Sequence, residues 1–255
     1  RARPCVMRSR RLHRGAAGPR DADEQAGGAT LQRHVLGPLA AQKATCQLLG
    51  PFDQEAWSRF AESWDRLESD TYMADGGRYR RRRHAVLRFS EGRLVPLASQ
   101  AHFQSRDHNP LNGGIARWFA QVEQATLESP VFADLLNLCL AVFEMGTTAL
   151  EIEVHQFRIE AGLSAGHPTP EGMHRDGVDC VGIFLVERKN VEAGTTQICV
   201  DGLADPAEFN LVEPLDAVFI NDNRVLHGVT PITAQDAKST GHRDVLVLTF
   251  RTVAV

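Results

Sequence analysis

Short runs of branched and aromatic apolar residues dominate the C-terminal third of the chain. Examples are DCVGIFLVE, TQICV, DAVFIND and RDVLVLTFRTV, which are separated by glycine, proline, aspartate and asparagine. Runs of this length and composition, bounded by turn residues, predict β-strands. Several short strands at close intervals are typical of a sandwich or jelly roll rather than of alternating strand–helix units. We therefore expect an antiparallel β core in this part of the chain.

Helical periodicity appears earlier in the chain. In residues 51–70, PFDQEAWSRFAESWDRLESD, the apolar side chains recur every three to four positions, and Asp53 is a candidate N-cap. Residues 113–130 predict a second amphipathic helix, and residues 131–143 predict a buried helix that is too short to span a membrane. We expect helix to dominate the first half and strand the second, giving an α+β fold with a jelly-roll core braced by N-terminal helices.

Charge is distributed unevenly. The net charge is −4, but the first 20 residues contain seven arginines and no acid, so residues 21–255 carry 21 basic and 32 acidic side chains, a formal charge of −11. An acidic body argues against nucleic acid as a partner. The start resembles a transit peptide in composition, but it has few apolar residues and lacks the apolar segment of a secretory signal. We favour a flexible arginine-rich leader over residues 1–30, or an extended gene start, followed by a single domain over residues 31–255.

The remaining composition fits a reduced, cytoplasmic enzyme of one domain. A chain of 255 residues with 43% hydrophobic content can bury a sizeable core. The cysteines are odd in number and show no CxxC spacing, which is typical of free thiols in a reducing compartment. They are Cys5, Cys46, Cys139, Cys180 and Cys199. No apolar run approaches the length of a membrane span, and no pattern predicts a particular oligomer.

Candidate metal ligands form a split cluster. His174 and Asp176 are separated by one residue, and His227 follows His174 by 53 residues. Positions i and i+2 of a strand share a face, so His174 and Asp176 can converge on one ion. Two histidines and one carboxylate make the facial triad that holds non-haem Fe(II) and leaves positions open for oxygen chemistry. Two alternatives stay open: a zinc-dependent hydrolase, since three protein ligands and a water also suit zinc, and a non-catalytic ligand-binding protein.

A cation downstream of the triad favours the oxygenase. Arg243 follows His227 by 16 residues and opens the last predicted strand. An oxygenase that uses 2-oxoglutarate needs a cation for the far carboxylate, and the planar fork of arginine pairs with a carboxylate through two hydrogen bonds. Arg251 has the same strand parity and is a rival for this role. Arg243 could instead be a strand-edge charge paired with a neighbouring aspartate.

Four ordered blocks extend this pattern to a family resemblance. They are YRRRRHAVLRF (79–89), NPLNGGIARWF (109–119), VHQFRI with PTPEGMHRDGVD (154–159 and 168–179), and DNRVLHGVTPI with GHRDVLVLTFR (222–232 and 241–251). With these blocks the chain resembles the bacterial 2-oxoglutarate and Fe(II)-dependent dioxygenases that include the free L-isoleucine hydroxylases. Other members of that family oxidise methionine sulphur or are named for biofilm and stress roles, so the resemblance leaves the substrate open.

The resemblance implies a fold, a metal site and cosubstrates. The fold is a double-stranded β-helix, which is a cupin-like jelly roll. The metal is Fe(II), held by His174, Asp176 and His227, and the cosubstrates are 2-oxoglutarate and dioxygen. We therefore expect a dioxygenase that hydroxylates a free L-amino acid or a similar small polar metabolite.

Further residues are candidates for binding the cosubstrate and the substrate. Alternation along Arg80–Arg83 places Arg80 and Arg82 on one face, so one pair can face inward, and Arg82 is a candidate for a substrate carboxylate. Gln156 and Arg158 share a face of their strand, and we assign Gln156 to the cosubstrate and Arg158 to the substrate. Structural hydrogen bonding is an equal alternative for both.

Asp179 is the candidate partner of a substrate ammonium group, because it lies three residues beyond Asp176. Its alternative is a structural bond to a neighbouring backbone amide or arginine. The NPLNGG segment is either a loop near the site or the entry turn of the second predicted helix.

Overall fold

The computed structural model describes residues 22–26, 29–35, 40–48, 53–146, 148–203 and 205–253. Most of the expected leader therefore lies outside the described residues. Its described part belongs to two antiparallel strands, β1 (Ala22–Ala26) and β2 (Ala29–Val35). The division of the chain at residue 30 stays a prediction.

The other described strands extend to the C-terminal end of the chain. They are β3 (Ala41–Leu48), β4 (Glu68–Ser69), β5 (Arg80–Ser90), β6 (Arg93–Pro96), β7 (Leu150–Ala161), β8 (Cys180–Lys189), β9 (Val191–Ala193), β10 (Thr196–Val200), β11 (Ala207–Phe209), β12 (Asp216–Asn221), β13 (Val225–Val229), β14 (Ile232–Ala234) and β15 (Gly241–Thr252). The helices are α1 (Gln54–Glu62), a 3-10 turn (Ser63–Arg66), α2 (Gln124–Leu127) and α3 (Pro130–Val142).

Two antiparallel sheets face each other to form the jelly-roll core. The large sheet has the order β1-β2-β3-β12-β8-β15-β7-β5-β4, with β6 paired to β5, and a smaller sheet has the order β11-β10-β13. A buried apolar cluster joins them, and it contains Val181 and Val218 from the large sheet and Ile198 and Val225 from the small one. The predicted jelly-roll core is confirmed.

The two faces of the large sheet carry different side chains. The outer face packs on the helices through an apolar cluster that includes Leu87, Ile152, Phe184, Leu248 and Phe250. The inner face of β5 and β7 carries several polar residues, because the alternate residues that point inward include arginine, histidine and glutamate beside Phe157 and Ile159. This polarity prepares the inner face for a ligand rather than for packing alone.

Helices cover the outer face as expected, although the first two are shorter than the periodicity predicts. The side chain of Asp53 caps α1 by accepting a hydrogen bond from Glu55 N, and Trp64 of the 3-10 turn is fully buried and donates to Phe157 O. The predicted buried helix is α3, which begins after the N-cap Ser129.

One predicted helix is wrong, and so is the expected excess of helix over strand in the first half of the chain. Most of residues 113–130 form a loop, and only α2 is helical there. A bridge from His84 to Gln121 attaches this loop to β5, and a bridge from His102 to Arg117 pairs it with the preceding loop, so tertiary contacts override the periodicity. Strand also outweighs helix in the described part of the first half, because the long strands β3 and β5 and the hairpin of β1 and β2 lie there. No helix among the described residues is long and apolar enough to cross a bilayer.

Candidate metal and cosubstrate site

The three predicted metal ligands come together at the inner side of the small sheet. His227 lies on β13, and His174 lies in the loop that precedes β8. The two residues form an isolated antiparallel bridge, in which each backbone N–H donates to the other's carbonyl at 2.9 Å. This bridge brings two ligands that are distant in sequence onto adjacent backbone positions.

The side chains of the three ligands converge. His174 Nε2 lies 3.6 Å from Asp176 Oδ1, and His227 Nε2 lies 3.4 Å from Asp176 Oδ2. All three ligand atoms lie within 4.8 Å of one another. His174 Nδ1 is 3.0 Å from the carbonyl of Gly172, which can only accept, so the proton is on Nδ1 and the Nε2 lone pair is free. This is the tautomer that a metal ligand requires.

A buried aspartate anchors the loop that carries the ligands. Asp222 accepts hydrogen bonds from the backbone N–H groups of Asp176, Gly177 and Val178 at 3.0, 2.8 and 3.2 Å. Gly177 has φ of 77°, and a Cβ atom there would come within 2.6 Å of the His108 ring. The loop therefore depends on one carboxylate and one glycine for its shape.

The electrostatics of the cluster favour a cation. Burial alone lowers the pKa of His174, but the carboxylates of Asp176 and Glu171 outweigh it and raise the pKa to about 9. The carboxylate of Asp176 is held ionised. Burial alone raises the pKa of Asp176, but the two histidines outweigh burial and bring this pKa well below its usual range. The donor set, the free Nε2 and this field all fit a divalent metal such as Fe(II).

A cavity opens beside the three ligands, and Arg243 forms part of its wall. Arg243 is 3% exposed, and its Nε has no hydrogen-bond partner among the described residues. Burial, with a contribution from the nearby Arg188, lowers the pKa of Arg243 to about 10. A buried cation facing a cavity without a bonded carboxylate is suited to an anionic ligand. Arg251 also lines the cavity, but it is exposed and donates to Gly177 O at 3.3 Å.

The inner face carries its cavity residues in rows across neighbouring strands. Arg80 of β5 and Arg243 of β15 both pair with Ile159 of β7, and Arg82 pairs with Phe157 in the adjacent row. The predicted alternation of the arginine run is confirmed, since Arg80 and Arg82 are buried and line the cavity. Successive strands are about 4.8 Å apart, so the β5 arginines lie across the cavity wall from the Arg243 position.

Three histidines and one glutamate form a second buried group on the same wall. Glu153 Oε2 lies 2.9 Å from His84 Nε2, 2.6 Å from His102 Nδ1 and 3.5 Å from His155 Nε2. Arg82 Nη2 lies 2.8 Å from His155 Nδ1, and arginine can only donate. The proton of neutral His155 is therefore on Nε2, facing Glu153. This arrangement is a hydrogen-bonded cluster around a carboxylate.

A hydrogen-bond chain connects the metal carboxylate to the loop over β5. Gln104 Nε2 donates to Asp176 Oδ1 at 3.1 Å. Gln104 Oε1 in turn accepts from Arg117 Nη2 at 2.9 Å and from Asn109 Nδ2 at 3.3 Å. The NPLNGG segment is therefore part of a loop at the site and not a helix-entry turn.

Two predicted binding residues point away from the cavity. Gln156 is fully buried on the outer face, where its amide donates to Ser63 Oγ at 2.8 Å. Arg158 is on the same face and pairs with Asp244 at 2.7 Å and Asp65 at 2.9 Å. They share a face as predicted, but it is the odd-numbered residues of β7 that point into the cavity. The assignments of Gln156 to the cosubstrate and of Arg158 to the substrate are not supported by this placement.

Asp179 is also outside the cavity lining. Its Oδ2 accepts a hydrogen bond from Thr252 N at 2.7 Å, and its own backbone N–H donates to Phe250 O. This is the structural alternative, a bond to a neighbouring backbone amide at the end of β15. The proposed ammonium role of Asp179 therefore has no support from its position.

Several cavity residues were not anticipated from the sequence. They are His102, Gln104, Arg117, Glu153 and Glu171. Glu153 and His155 alternate in EIEVHQF, and this period-two pattern of polar residues within a buried strand is the signal that could have identified them. The residues of the loop carry no such pattern, because their positions depend on a bridge to β5 and on a second bridge within the loop region.

Comparisons with known proteins agree with this geometry. A family model described as 2OG-Fe dioxygenase matches residues 61–249. A 3(1)-hydroxy-L-isoleucine 4-dioxygenase of Pantoea ananatis is 24% identical over 155 residues, which are 58% of this chain and 62% of that protein. An L-isoleucine-4-hydroxylase of Bacillus thuringiensis is 25% identical over 160 residues, which are 60% of this chain and 65% of that protein. The matched region thus spans less than two thirds of either relative.

Solved structures give a longer match. A BsmA homologue from Methylobium petroleophilum PM1 is 33% identical, covers 78% of this chain and 81% of its own, and superposes with a TM-score of 0.71. IDO from Bacillus thuringiensis is 19% identical, covers 84% of this chain and 95% of its own, and has a TM-score of 0.72. The second match concerns the fold alone. The resemblance drawn from the four sequence blocks is confirmed.

Proposed function

Because the chain belongs to the 2OG-Fe dioxygenase family, we propose that it is an Fe(II)- and 2-oxoglutarate-dependent dioxygenase that hydroxylates a free amino acid. The proposal rests on one cavity that has two features. His174, Asp176 and His227 converge in it, and the buried Arg243 lines it without a carboxylate partner among the described residues. The comparisons lend no support to a zinc hydrolase or a binding-only protein.

The three converging side chains would hold the iron through His174 Nε2, the Asp176 carboxylate and His227 Nε2. The N–H at His174 Nδ1 donates to the Gly172 carbonyl, which fixes the ring with Nε2 inward. Asp222 holds the backbone of the ligand loop, so the carboxylate of Asp176 need not reorganise to meet the metal. When bound, Fe(II) and 2-oxoglutarate supply dioxygen activation coupled to oxidative decarboxylation of the cosubstrate.

Arg243 would bind the far carboxylate of 2-oxoglutarate. Its guanidinium is buried, and its Nε lacks a hydrogen-bond partner, so an anion bound there would compensate a desolvated cation. The apolar side chains of Ile183, Val245 and Val247 also line the cavity. They would exclude water from around a bound dicarboxylate.

A small, free amino acid is the substrate we propose. The two curated relatives are named for isoleucine and hydroxyisoleucine, which are free amino acids. The cavity of this chain offers both signs of charge to such a ligand, with five arginines and three carboxylates in its lining. A polar zwitterion suits this mixed lining better than a purely apolar molecule does.

The test is formation of succinate from 2-oxoglutarate by the full chain supplied with Fe(II) and ascorbate, screened against the common L-amino acids one at a time. We expect succinate formation to rise with at least one amino acid, together with a product heavier by one oxygen atom. Succinate formation that never responds to any amino acid would contradict the substrate class. No succinate formation and no calorimetric binding of 2-oxoglutarate would contradict the dioxygenase itself.

A further inference from the structure

Two buried arginines at the β5 side of the cavity have no carboxylate partner within ion-pair distance among the described residues. Arg82 is 3% exposed and Arg117 is 1% exposed, and the Nε of each lacks a hydrogen-bond partner. The nearby Arg80 differs, because Asp70 Oδ2 lies 2.7 Å from its Nη2. Burying an uncompensated cation is costly, so two of them on one cavity wall indicate an anionic ligand.

The surroundings of Arg82 fix the direction in which it can bind. Its guanidinium carbon lies 3.8 Å from the centre of the Phe119 ring and 4.4 Å from that of Phe157. Aromatic rings therefore cover the guanidinium, and His155 Nδ1 accepts from Nη2. The remaining donors lie in the guanidinium plane, which is the geometry that a carboxylate accepts.

Arg117 is held in place by the hydrogen bonds that lead through Gln104 to the metal carboxylate of Asp176. Its Nη2 donates to Gln104 Oε1, and Gln104 donates onward to Asp176. The position of Arg117 is thereby coupled to the metal site, while its Nε remains without a partner.

Glu171 supplies the opposite charge in the same cavity. Its side chain is 7% exposed, its Oε2 has no hydrogen-bond partner, and its Oε1 lies 3.6 Å from His174 Nε2. Glu171 is not part of the group whose ligand atoms lie within 4.8 Å of one another, which is formed by His174, Asp176 and His227. It is therefore a buried carboxylate beside the metal ligands and separate from them.

From these contacts, and on the basis of the proposed function, we infer a zwitterion subsite in which Arg82 and Arg117 bind the α-carboxylate of the substrate and Glu171 binds its α-ammonium group. The pairing places the amino acid between the β5 wall and the metal ligands, since Glu171 adjoins His174. It also replaces Asp179 and Arg158, which point away from the cavity, with residues that line it. The ligand class is a free α-amino acid with both groups unblocked.

The first arm of the test varies the ligand and needs no mutation. Calorimetry on the full chain with Fe(II) and 2-oxoglutarate, without oxygen, measures binding of each common L-amino acid. The tightest one is then compared with its primary amine, which lacks the carboxylate, and with its N-acetyl derivative, which lacks the ammonium charge. We expect each analogue to bind at least about tenfold more weakly, because each leaves a buried charge unpaired.

The second arm combines the analogues with variants. In Arg82→Met the preference for the amino acid over the amine should fall by about tenfold, and in Glu171→Gln the preference over the N-acetyl derivative should fall similarly. The outward-facing ion pair Arg81 and Glu160 supplies matched controls, Arg81→Met and Glu160→Gln, for which both preferences should stay unchanged. Circular dichroism checks that each variant folds.

Three outcomes would overturn the inference. They are binding of 2-oxoglutarate without binding of any amino acid, equal affinity for the amino acid and its amine, and loss of Fe(II) binding in Glu171→Gln, which would make Glu171 a metal ligand. The ligand arm decides the matter even if Arg82→Met fails to fold. Failure of 2-oxoglutarate to bind in the same titrations would instead contradict the proposed function.

Discussion

The position of one proton on His174 determines whether that side chain can meet a metal. The Gly172 carbonyl accepts from Nδ1, so Nε2 turns towards Asp176, and in the neutral ring its lone pair is free. The carboxylates of Asp176 and Glu171 also favour a proton on this nitrogen, and they raise the pKa of His174 to about 9 despite burial. Metal and proton therefore compete for the same Nε2.

Replacement of either histidine should remove the metal. In His174→Ala or His227→Ala the triad loses one nitrogen ligand, so we expect Fe(II) binding at micromolar metal to disappear while the circular dichroism spectrum is retained. Iron content after gel filtration measures this. His108→Ala is a matched control, because His108 lies beside the ligand loop but outside the triad. Stoichiometric iron in both triad variants would refute the assignment.

The cosubstrate anchor can be tested with a change that preserves charge. Arg243→Lys loses the planar fork, so the 2-oxoglutarate concentration for half-maximal succinate formation should rise about ten- to hundredfold, equivalent to roughly 1.5–3 kcal/mol. Arg251→Lys is the companion variant. The exposed Arg251 should change this concentration by less than about threefold. A larger effect in Arg251→Lys than in Arg243→Lys would transfer the anchor role to Arg251.

At the scale of elements, the ligand loop is held by the end of β12, the strand that pairs with β8 in the large sheet. Asp222 follows β12, yet its carboxylate accepts from three consecutive backbone N–H groups of the loop before β8. This one contact joins the two segments that supply the triad, because Asp222 also precedes β13 and His227 by a short turn.

Asp222→Asn should therefore weaken metal binding without touching a ligand. An amide offers one acceptor oxygen in place of two, so at least one loop N–H loses its partner. We expect Fe(II) affinity to fall about 10- to 100-fold, as is typical of residues that orient metal ligands. Competition with a fluorescent chelator measures the affinity. Asp201→Asn is the control, since Asp201 pairs with Arg175 on the exposed side of the same loop. Equal affinities for Asp222→Asn and wild type would show that the loop holds its shape without Asp222.

The elements themselves were predictable where local pattern and tertiary environment agree. The strands β8, β12 and β15 and the helices α1 and α3 follow directly from apolar runs and from capping residues such as Asp53. The segment 113–130 shows where they disagree: its helical periodicity gives way to a bridge with β5 and a bridge with the loop at His102. Local propensity contributes only a few tenths of a kcal/mol per residue, so such contacts override it.

The site residues also fall into two groups, those that a local pattern identifies and those whose position depends on tertiary packing. The spacing of His174, Asp176 and His227 is visible in the sequence, because a ligand pair at i and i+2 is a local feature. The choice of face is not local. Gln156 and Arg158 share a face, but only the packing of β7 against the 3-10 turn makes that face the outer one. The same holds for Glu171, whose role depends on where its loop lies relative to β5.

At the scale of the whole molecule, the cavity wall carries a buried charge system that is sensitive to acid. Burial lowers the pKa values of His84 and His102 and brings that of His155 well below its ordinary value of 6.5. The groups that face them are Glu153, which favours their protonation, and the cations Arg82 and Arg117, which oppose it. Protonating His155 would also place a proton on Nδ1 against the Arg82 guanidinium.

These shifts predict that the free energy of unfolding falls as the pH drops below about 6.5. A histidine whose pKa is lowered in the folded state binds its proton more readily after unfolding. Its stabilising contribution is therefore complete above the unfolded pKa, and it is lost as the pH falls from there towards the folded pKa. His174 has the opposite shift, so its contribution opposes this trend near pH 6.5, where its unfolded form starts to lose the proton, and it fades at lower pH, where both states are protonated. Each shifted histidine then contributes up to about 1.4 kcal/mol per pH unit.

Urea unfolding of the metal-free chain between about pH 5 and pH 6.5 measures the slope of the free energy of unfolding against pH, which should be positive because the pKa values of three histidines are lowered in the folded protein. His84→Gln and His102→Asn place an amide N–H where each ring donates to Glu153, so each variant should keep that bond and lower the slope by up to about one proton. His242→Gln is the control, because His242 pairs with the exposed Glu187 and lies outside the cluster. A wild-type slope no steeper than that of His84→Gln would mean that the cluster is already protonated in the folded protein, and Glu153 would then hold charged rather than neutral histidines against the cavity.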